Sequence, residues 1–345
     1  MKIKIVSPSG AIDPQYIDRA TEVLRGWGYE VSEAAHARGK VGRFAASDEE
    51  RVADIAEALT DPAVDMILCA RGGYGLQRII DRIPPIQKPI IGFSDITALH
   101  MLAAQTGQAT IHAMMCKGIS ETKGLSPSSC VLHPSSFLQQ ALAQEPLHYE
   151  LPAHPLNRAG KIKGTLIGGN LSVLYGLQGT AYGLDERLRI KDKRLNSNDF
   201  KEVRSLGRTQ YKDASDTEVI SPSSLSPSLC REGWGGSPLI LFIEDVGERH
   251  YHIDRMMNNL RLSGVLANLS GLIVGQFSDC EDDPSMGCTV YETIRHAVEP
   301  YHYPVVFNFP AGHVEENMPL YLNAPVEIDV REDYSSSIHS FFKSS

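Results

Sequence analysis

The sequence predicts an α/β protein of two domains, the first a parallel sheet covered by helices. Three observations predict it. Short apolar runs near Lys2, Met66 and Pro89 alternate with helical periodicities, the pattern that parallel strands and their crossover helices impose. Two of those runs empty into turns of unusual composition, Arg71-Gly72-Gly73-Tyr74-Gly75 and Gly92-Phe93-Ser94-Asp95. The length, 345 residues, allows two domains that each bury a core.

The first strand, Lys2 to Val6, closes in the turn cluster Ser7-Pro8-Ser9-Gly10. A helix follows with Ile17, Ala20, Val23, Leu24 and Trp27 along one side. A second starts at Ser47, where Glu50 three residues on completes a capping box, and turns Val52, Ile55, Ala56 and Leu59 inward. Met66 to Cys69 is a buried strand ending in the glycine loop, whose three glycines in four positions permit a backbone that other residues follow poorly. In the next strand, Pro89 to Phe93, the apolar run stops at Ser94 and resumes as Ile96, Ala98, Leu99 and Leu102, which reads as strand, sharp turn, helix. Such a turn exposes the serine hydroxyl beside the first free N–H groups of the helix, where an oxyanion is stabilised; an ordinary N-cap serine is the plainer alternative. Ligands of open parallel sheets bind beyond the carboxyl ends of the strands, so the glycine loop and Ser94 should share one edge. The loop lacks both G-x-G-x-x-G and G-x-x-x-x-G-K-[ST], leaving a tight turn or an amide-lined pocket with Gly72 or Gly73 and the Asp95 N–H as donors.

The first domain is set at 1–145. Glu145 to Asn157 has no apolar periodicity, so 146–160 is expected to be a linker and 161–345 the second domain. Lys161 to Ile167 is a strand ending in Gly168-Gly169-Asn170, with Leu171, Leu174 and Leu177 on a short helix after it. Leu239 to Ile243 is a buried strand that delivers Glu244-Asp245-Val246-Gly247-Glu248, and Ile253, Met256, Met257 and Leu260 form the core stripe of the next helix. Leu272 to Val274 and Pro304 to Phe307 bracket a helix around Tyr291 to Val298, and the latter run leads into Phe309-Pro310-Ala311-Gly312-His313. Ser94, Glu244 and His313 thus follow one another as nucleophile, acid and base, each at the end of an inferred strand. Gly92-Phe93-Ser94-Asp95-Ile96 lacks the second glycine of G-x-S-x-G, which disfavours an α/β-hydrolase in the strict sense.

Composition narrows the function classes. A net charge of -9 disfavours nucleic acid as a partner. The six cysteines include no C-x-x-C pair, which fits a reducing compartment. The N-terminal apolar run is too short for a secretory signal and no run is long enough for a bilayer, so a cytoplasmic protein with no membrane partner is expected.

Taken in order, Cys69-Ala70-Arg71-Gly72-Gly73-Tyr74-Gly75, Gly92-Phe93-Ser94-Asp95, Gly168-Gly169-Asn170-Leu171, Phe242 to Glu248 with Ile253-Asp254-Arg255, and Pro310-Ala311-Gly312-His313 resemble the landmarks of the LD-carboxypeptidases, also called muramoyltetrapeptide carboxypeptidases. The resemblance runs from Val6 to about Val330. It implies a cytoplasmic serine peptidase of murein recycling, often a homodimer, that needs no cofactor or metal and releases the terminal D-alanine of the murein tetrapeptide by cutting after the L-centre of the diamino acid. It also implies an N-terminal flavodoxin-like domain, a C-terminal α/β domain with a small β-barrel-like sheet, and a site between them. By motif position the catalytic serine, glutamate and histidine fall on Ser94, Glu244 and His313, and the oxyanion amides on the Gly72-Gly73 turn and Asp95. Arg71 is a candidate for the free carboxylate of the substrate or for tying down the glycine turn. Asn170 is a candidate for substrate contact or for capping the helix that follows.

Two features depart from the family. The stretch at about 186–237, with Ser221-Pro222-Ser223-Ser224-Leu225-Ser226-Pro227-Ser228, reads as a low-complexity insertion, faintly echoed by Ser126-Pro127-Ser128-Ser129. His250-Tyr251-His252 on an extended segment would set two imidazoles on one side, a metal-hydrolase alternative with Glu244 and Asp245, against the plainer surface reading. The motifs are also compatible with a microcin-immunity-type peptidase of the same superfamily, hinted at by Trp234, and with a two-domain binding protein that performs no chemistry.

Overall fold

The computed structural model describes residues 1–122, 134–185 and 237–342. Its first sheet is built from β1 (Lys2–Val6), β2 (Glu30–Glu33), β3 (Met66–Cys69), β4 (Ile90–Gly92) and β5 (Thr110–His112), all parallel in the order β2-β1-β3-β4-β5. This is the flavodoxin-like order, and the strand order reverses between β1 and β3. Helices α1 (Pro14–Gly26), α2 (Asp48–Thr60) and α3 (Thr97–Ala103) make the crossovers. Ser47 caps α2 in the expected capping box with Glu50, and α1 buries Ile17, Ala20 and Leu24. On α2, Arg51 and Asp54 are buried beside Ile55 and Leu59; Arg51 spans from the carbonyl of Pro8 to that of Gly75, bracing the loops after β1 and β3.

After α4 (Cys116–Glu121) and α5 (Pro134–Leu142) the chain enters a mixed seven-stranded sheet. Its strands are β6 (Leu147–Leu151), β7 (Gly160–Asn170), β8 (Leu239–Val246), β9 (Gly271–Ser278), β10 (Val305–Val306), β12 (Ala324–Val330) and β13 (Ser336–Ser340). They lie in the order β10-β9-β8-β7-β12-β13-β6, parallel from β10 to β7 and antiparallel beyond. Helices α6 (Leu171–Leu177), α7 (His250–Leu262) and α8 (Val290–Ala297) follow β7, β8 and β9. The α7 stripe is the expected one: Ile253, Met256, Met257 and Leu260 are buried.

Three expectations need correction. Part of the supposed linker at 146–160 is strand, because Leu147 and Tyr149 alternate with exposed residues and pair with β13. The chain does not divide cleanly at that point either: β11 (Leu320–Leu322) returns to the first sheet and pairs antiparallel with β5. His250 and His252 lie in the first turn of α7 rather than on an extended segment. His250 is buried against the Thr293 hydroxyl and the Asp283 amide, whereas His252 pairs with Glu248. The serine-rich stretches and Trp234 fall outside the described residues, as does all of the expected insertion up to residue 236.

Candidate active site

The loops after β1 and β3 meet at the point where the strand order reverses, where the Gly10 amide donates to the Gly72 carbonyl at 3.1 Å. One strand over, β4 ends at Gly92 and the chain enters a single tight turn, Ser94–Ile96, that runs into α3. Ser94 has φ of +66°, a left-handed conformation that costs a residue with a side chain about 1–3 kcal/mol. Its neighbours hold it there. The buried Asp95 carboxylate accepts from the Ser9 hydroxyl at 2.5 Å and the Leu76 amide at 3.0 Å, lacing the turn to the loops after β1 and β3. His100, whose pKa burial pushes down to about 3, is neutral and lies 2.9 Å from the Gly92 carbonyl, to which its Nε2–H donates. Gly72 packs so closely that a Cβ placed there would lie 3.1 Å from the Ser94 hydroxyl.

Glu244 comes from the second sheet. The sequence places it just beyond a strand; it lies within β8, where the register with β9 slips between Ile243 and Asp245. Such irregularities re-aim side chains, and here they leave a carboxylate that is completely buried. His313 arrives on the segment after β10, which is stitched to β9 by the Phe309 amide on the Val274 carbonyl and the Gln276 amide on the Ala311 carbonyl. Gly312 must be glycine: its φ is +131° and a Cβ would lie 3.0 Å from Glu244 Oε2. His313 Nδ1 then sits 2.9 Å from Glu244 Oε2, with the imidazole side chain 21% exposed. Burial alone would push the Glu244 carboxyl up, but the His313 hydrogen bond and the two imidazoles that face it, His112 and His313, outweigh it and hold the group below its usual range.

Ser94 and His313 line one cavity of about 1430 Å³, together with Arg71, Gly72 and Gly73 from the first sheet. The Phe93 ring spans between the halves, 4.9 Å from the His313 ring. Arg71 reaches the cavity while its guanidinium donates to the Ala11 carbonyl at 2.6 Å, so it braces the loop after β1 as well as facing the space. The Asp95 carboxylate is committed to Ser9 and Leu76, and what the residue can offer an oxyanion is its backbone N–H. Lys117, Met114, Met115, Glu315 and Glu316 also line the space. The sequence marks none of them, since a lysine or glutamate on a loop carries no signal until the fold closes around it.

Asn170 caps: it is buried, its side-chain carbonyl accepts from the Val173 amide at the start of α6, and its amide donates to Asp245 at 2.9 Å. Of its two expected roles, this geometry supplies the structural one. Asp245 also accepts from the Ser172 amide at 2.8 Å. Burial first, and the neighbouring Glu244 charge second, push its pKa up to about 7. A carboxyl raised in the folded state retains its proton there after the unfolded chain has lost it, so this group's contribution to stability falls as pH climbs from about 4 to about 7 and is level above. Asp245→Asn is expected to flatten that slope, by about 3 kcal/mol between pH 4.5 and 8, in urea denaturation followed across pH. Identical pH dependence in wild type and variant would contradict the assignment.

Comparison with known proteins gives the arrangement its kin. The family model for the LD-carboxypeptidase N-terminal domain matches residues 3–113, and that for the C-terminal domain matches residues 229–328. The murein tetrapeptide carboxypeptidase of Pseudomonas aeruginosa is 24% identical over 92% of this chain and 89% of its own. Among solved structures, the muramoyltetrapeptide carboxypeptidase from Oxalobacter formigenes superposes with a TM-score of 0.73 at 22% identity, covering 99% of both chains. The microcin C7 self-immunity protein MccF in complex with aspartyl sulfamoyl adenosine gives 0.71 at 18% identity, over 99% of this chain and 96% of its own. With both domains of the family matched in order along one chain, and the motifs of both halves converging on one cavity, the protein belongs to the LD-carboxypeptidase family.

Proposed function

We propose that the protein is a serine LD-carboxypeptidase that removes the terminal D-alanine from murein tetrapeptide. The observation that carries the proposal is the His313–Glu244 hydrogen bond, 2.9 Å long, opening onto the same cavity as the strained Ser94. In this reading the Ser94 hydroxyl attacks the carbonyl of the diamino acid at its L-centre as His313 Nε2 takes the proton. Glu244 accepts from Nδ1–H, which fixes the tautomer and stabilises the imidazolium. Backbone N–H groups at the Gly72-Gly73 turn and Asp95 hold the oxyanion. His313 then protonates the departing amine of D-alanine and next activates the water that frees the acyl group. The cavity exceeds the roughly 300–1,000 Å³ of small-ligand sites, as a tetrapeptide requires. Its cations, Arg71 and Lys117, suit the carboxylate that an exopeptidase must recognise. Cytoplasmic location and a homodimer belong to the same proposal; among the described residues no helix is long and apolar enough to cross a membrane.

The test is turnover of a murein tetrapeptide, its all-L counterpart and an aminoacyl sulfamoyl adenosine, with products identified by mass spectrometry. Release of D-alanine from the first alone is the expected result. Cleavage of the adenylate analogue alone would instead assign the chain to the microcin-immunity type.

A further inference from the structure

Glu244 has two oxygens, and only one is used by His313. The other, Oε1, is buried without a hydrogen-bond partner among the described residues, as are both ring nitrogens of His112. These orphaned atoms face each other: His112 Nε2 lies 4.0 Å from Glu244 Oε1, both side chains fully buried. A buried carboxylate oxygen and a buried imidazole N–H left unpaired each cost about 1–3 kcal/mol, a cost that closing this short gap removes from both.

Among the described residues His112 has no competing hydrogen-bond partner. It ends β5, paired with Gly92 of β4 and Leu320 of β11. The Phe242 ring meets it edge-on at 4.9 Å, Phe93 lies at 5.8 Å and the neutral His100 at 6.4 Å, so among the described residues Glu244 is the carboxylate that faces it. Glu244 for its part is faced by His112, His313 and the adjoining Asp245. His112 belongs to the sheet that carries Ser94, and Glu244 to the sheet that delivers His313.

We propose that His112 is a positioning residue for Glu244: its Nε2–H donates to the carboxylate oxygen that His313 leaves free, locking the acid and the second sheet in register with the serine of the first. The inference rests on the serine-peptidase reading for its effect on turnover, but not for its effect on the carboxylate.

Both are measured on His112→Phe, which keeps a planar ring against Phe242, and His112→Gln, which restores a donor, each checked for an intact melting transition. With the tetrapeptide, His112→Phe is expected to lower kcat roughly 10- to 100-fold with KM within about twofold, and His112→Gln to recover part of the loss. Difference infrared spectroscopy of ¹³C-glutamate-labelled protein, assigned with Glu244→Gln, follows the carboxyl itself: His112→Phe is expected to move its protonation upward by about one pH unit, and His112→Gln to move it back. An unmoved carboxyl band in a folded His112→Phe protein overturns the proposal whatever the activity. A moved band in a protein that cleaves no tetrapeptide upholds the positioning role and refutes the peptidase reading instead.

Discussion

Replacing Ser94 by alanine is expected to lower release of D-alanine from a murein tetrapeptide by at least about 10³-fold, with substrate binding retained. Ser94 lines the cavity on a strained backbone, φ +66°, in a turn that the Asp95 carboxylate ties to Ser9 and Leu76. A second substitution at the same position separates chemistry from folding. Ser94→Gly removes the hydroxyl and relieves the left-handed conformation, so it should be equally inactive yet more stable by about 1 kcal/mol in urea denaturation. A glycine variant that is less stable than wild type would show that the turn is not strained. Comparable turnover by wild type and Ser94→Ala would remove the serine from the mechanism.

Gly72→Ala should be nearly as damaging without touching any reacting atom. A Cβ at this position would lie 2.9 Å from the Ser94 Cβ and 3.1 Å from the Phe93 carbonyl oxygen and from the Ser94 hydroxyl. Neither loop can retreat freely, because Gly72 is bonded to Gly10 and the Ser94 turn is bonded through Asp95 to Ser9 and Leu76. A displacement of about 1 Å at a nucleophile is enough to cost roughly 10² in rate, so kcat should fall by that much or more. Gly26→Ala, at the end of α1 with open space around it, is the control and should leave kcat unchanged. If Gly72→Ala retains wild-type kcat, the glycine loop does not set the geometry of the serine.

The parts legible in the sequence are those where local chemistry and fold agree. β3 and β4 are apolar runs buried along their whole length, β1 buries Ile3, Ile5 and Val6, and the Ser47–Glu50 box marks the start of α2 without tertiary information. Strands that depend on partners leave no such mark. β2 is polar at Glu30, Ser32 and Glu33 and exists because it pairs with β1. β11 is three residues long and is defined by its return to β5. β12 does carry a local signal, since Ala324, Val326, Ile328 and Val330 are buried at every second position. Within the site, Ser94, His313 and the glycine loop could be named because turns that follow strands leave a compositional mark. His112 could not: it ends a strand whose neighbours, Ile111 and Ala113, make it look like core, and its relation to Glu244 arises only where two sheets meet.

Ser94 and His313, carried by different sheets, are proposed to act as one nucleophile and base with Glu244 behind the imidazole. A crystal structure of the protein with a tetrapeptide-like phosphonate that traps the attacking group tests this most directly. The expected structure shows a covalent bond to the Ser94 oxygen, His313 Nε2 within about 3 Å of that oxygen, and Nδ1 still on Glu244. An adduct on any other residue, or an imidazole turned away from a modified Ser94, would contradict it.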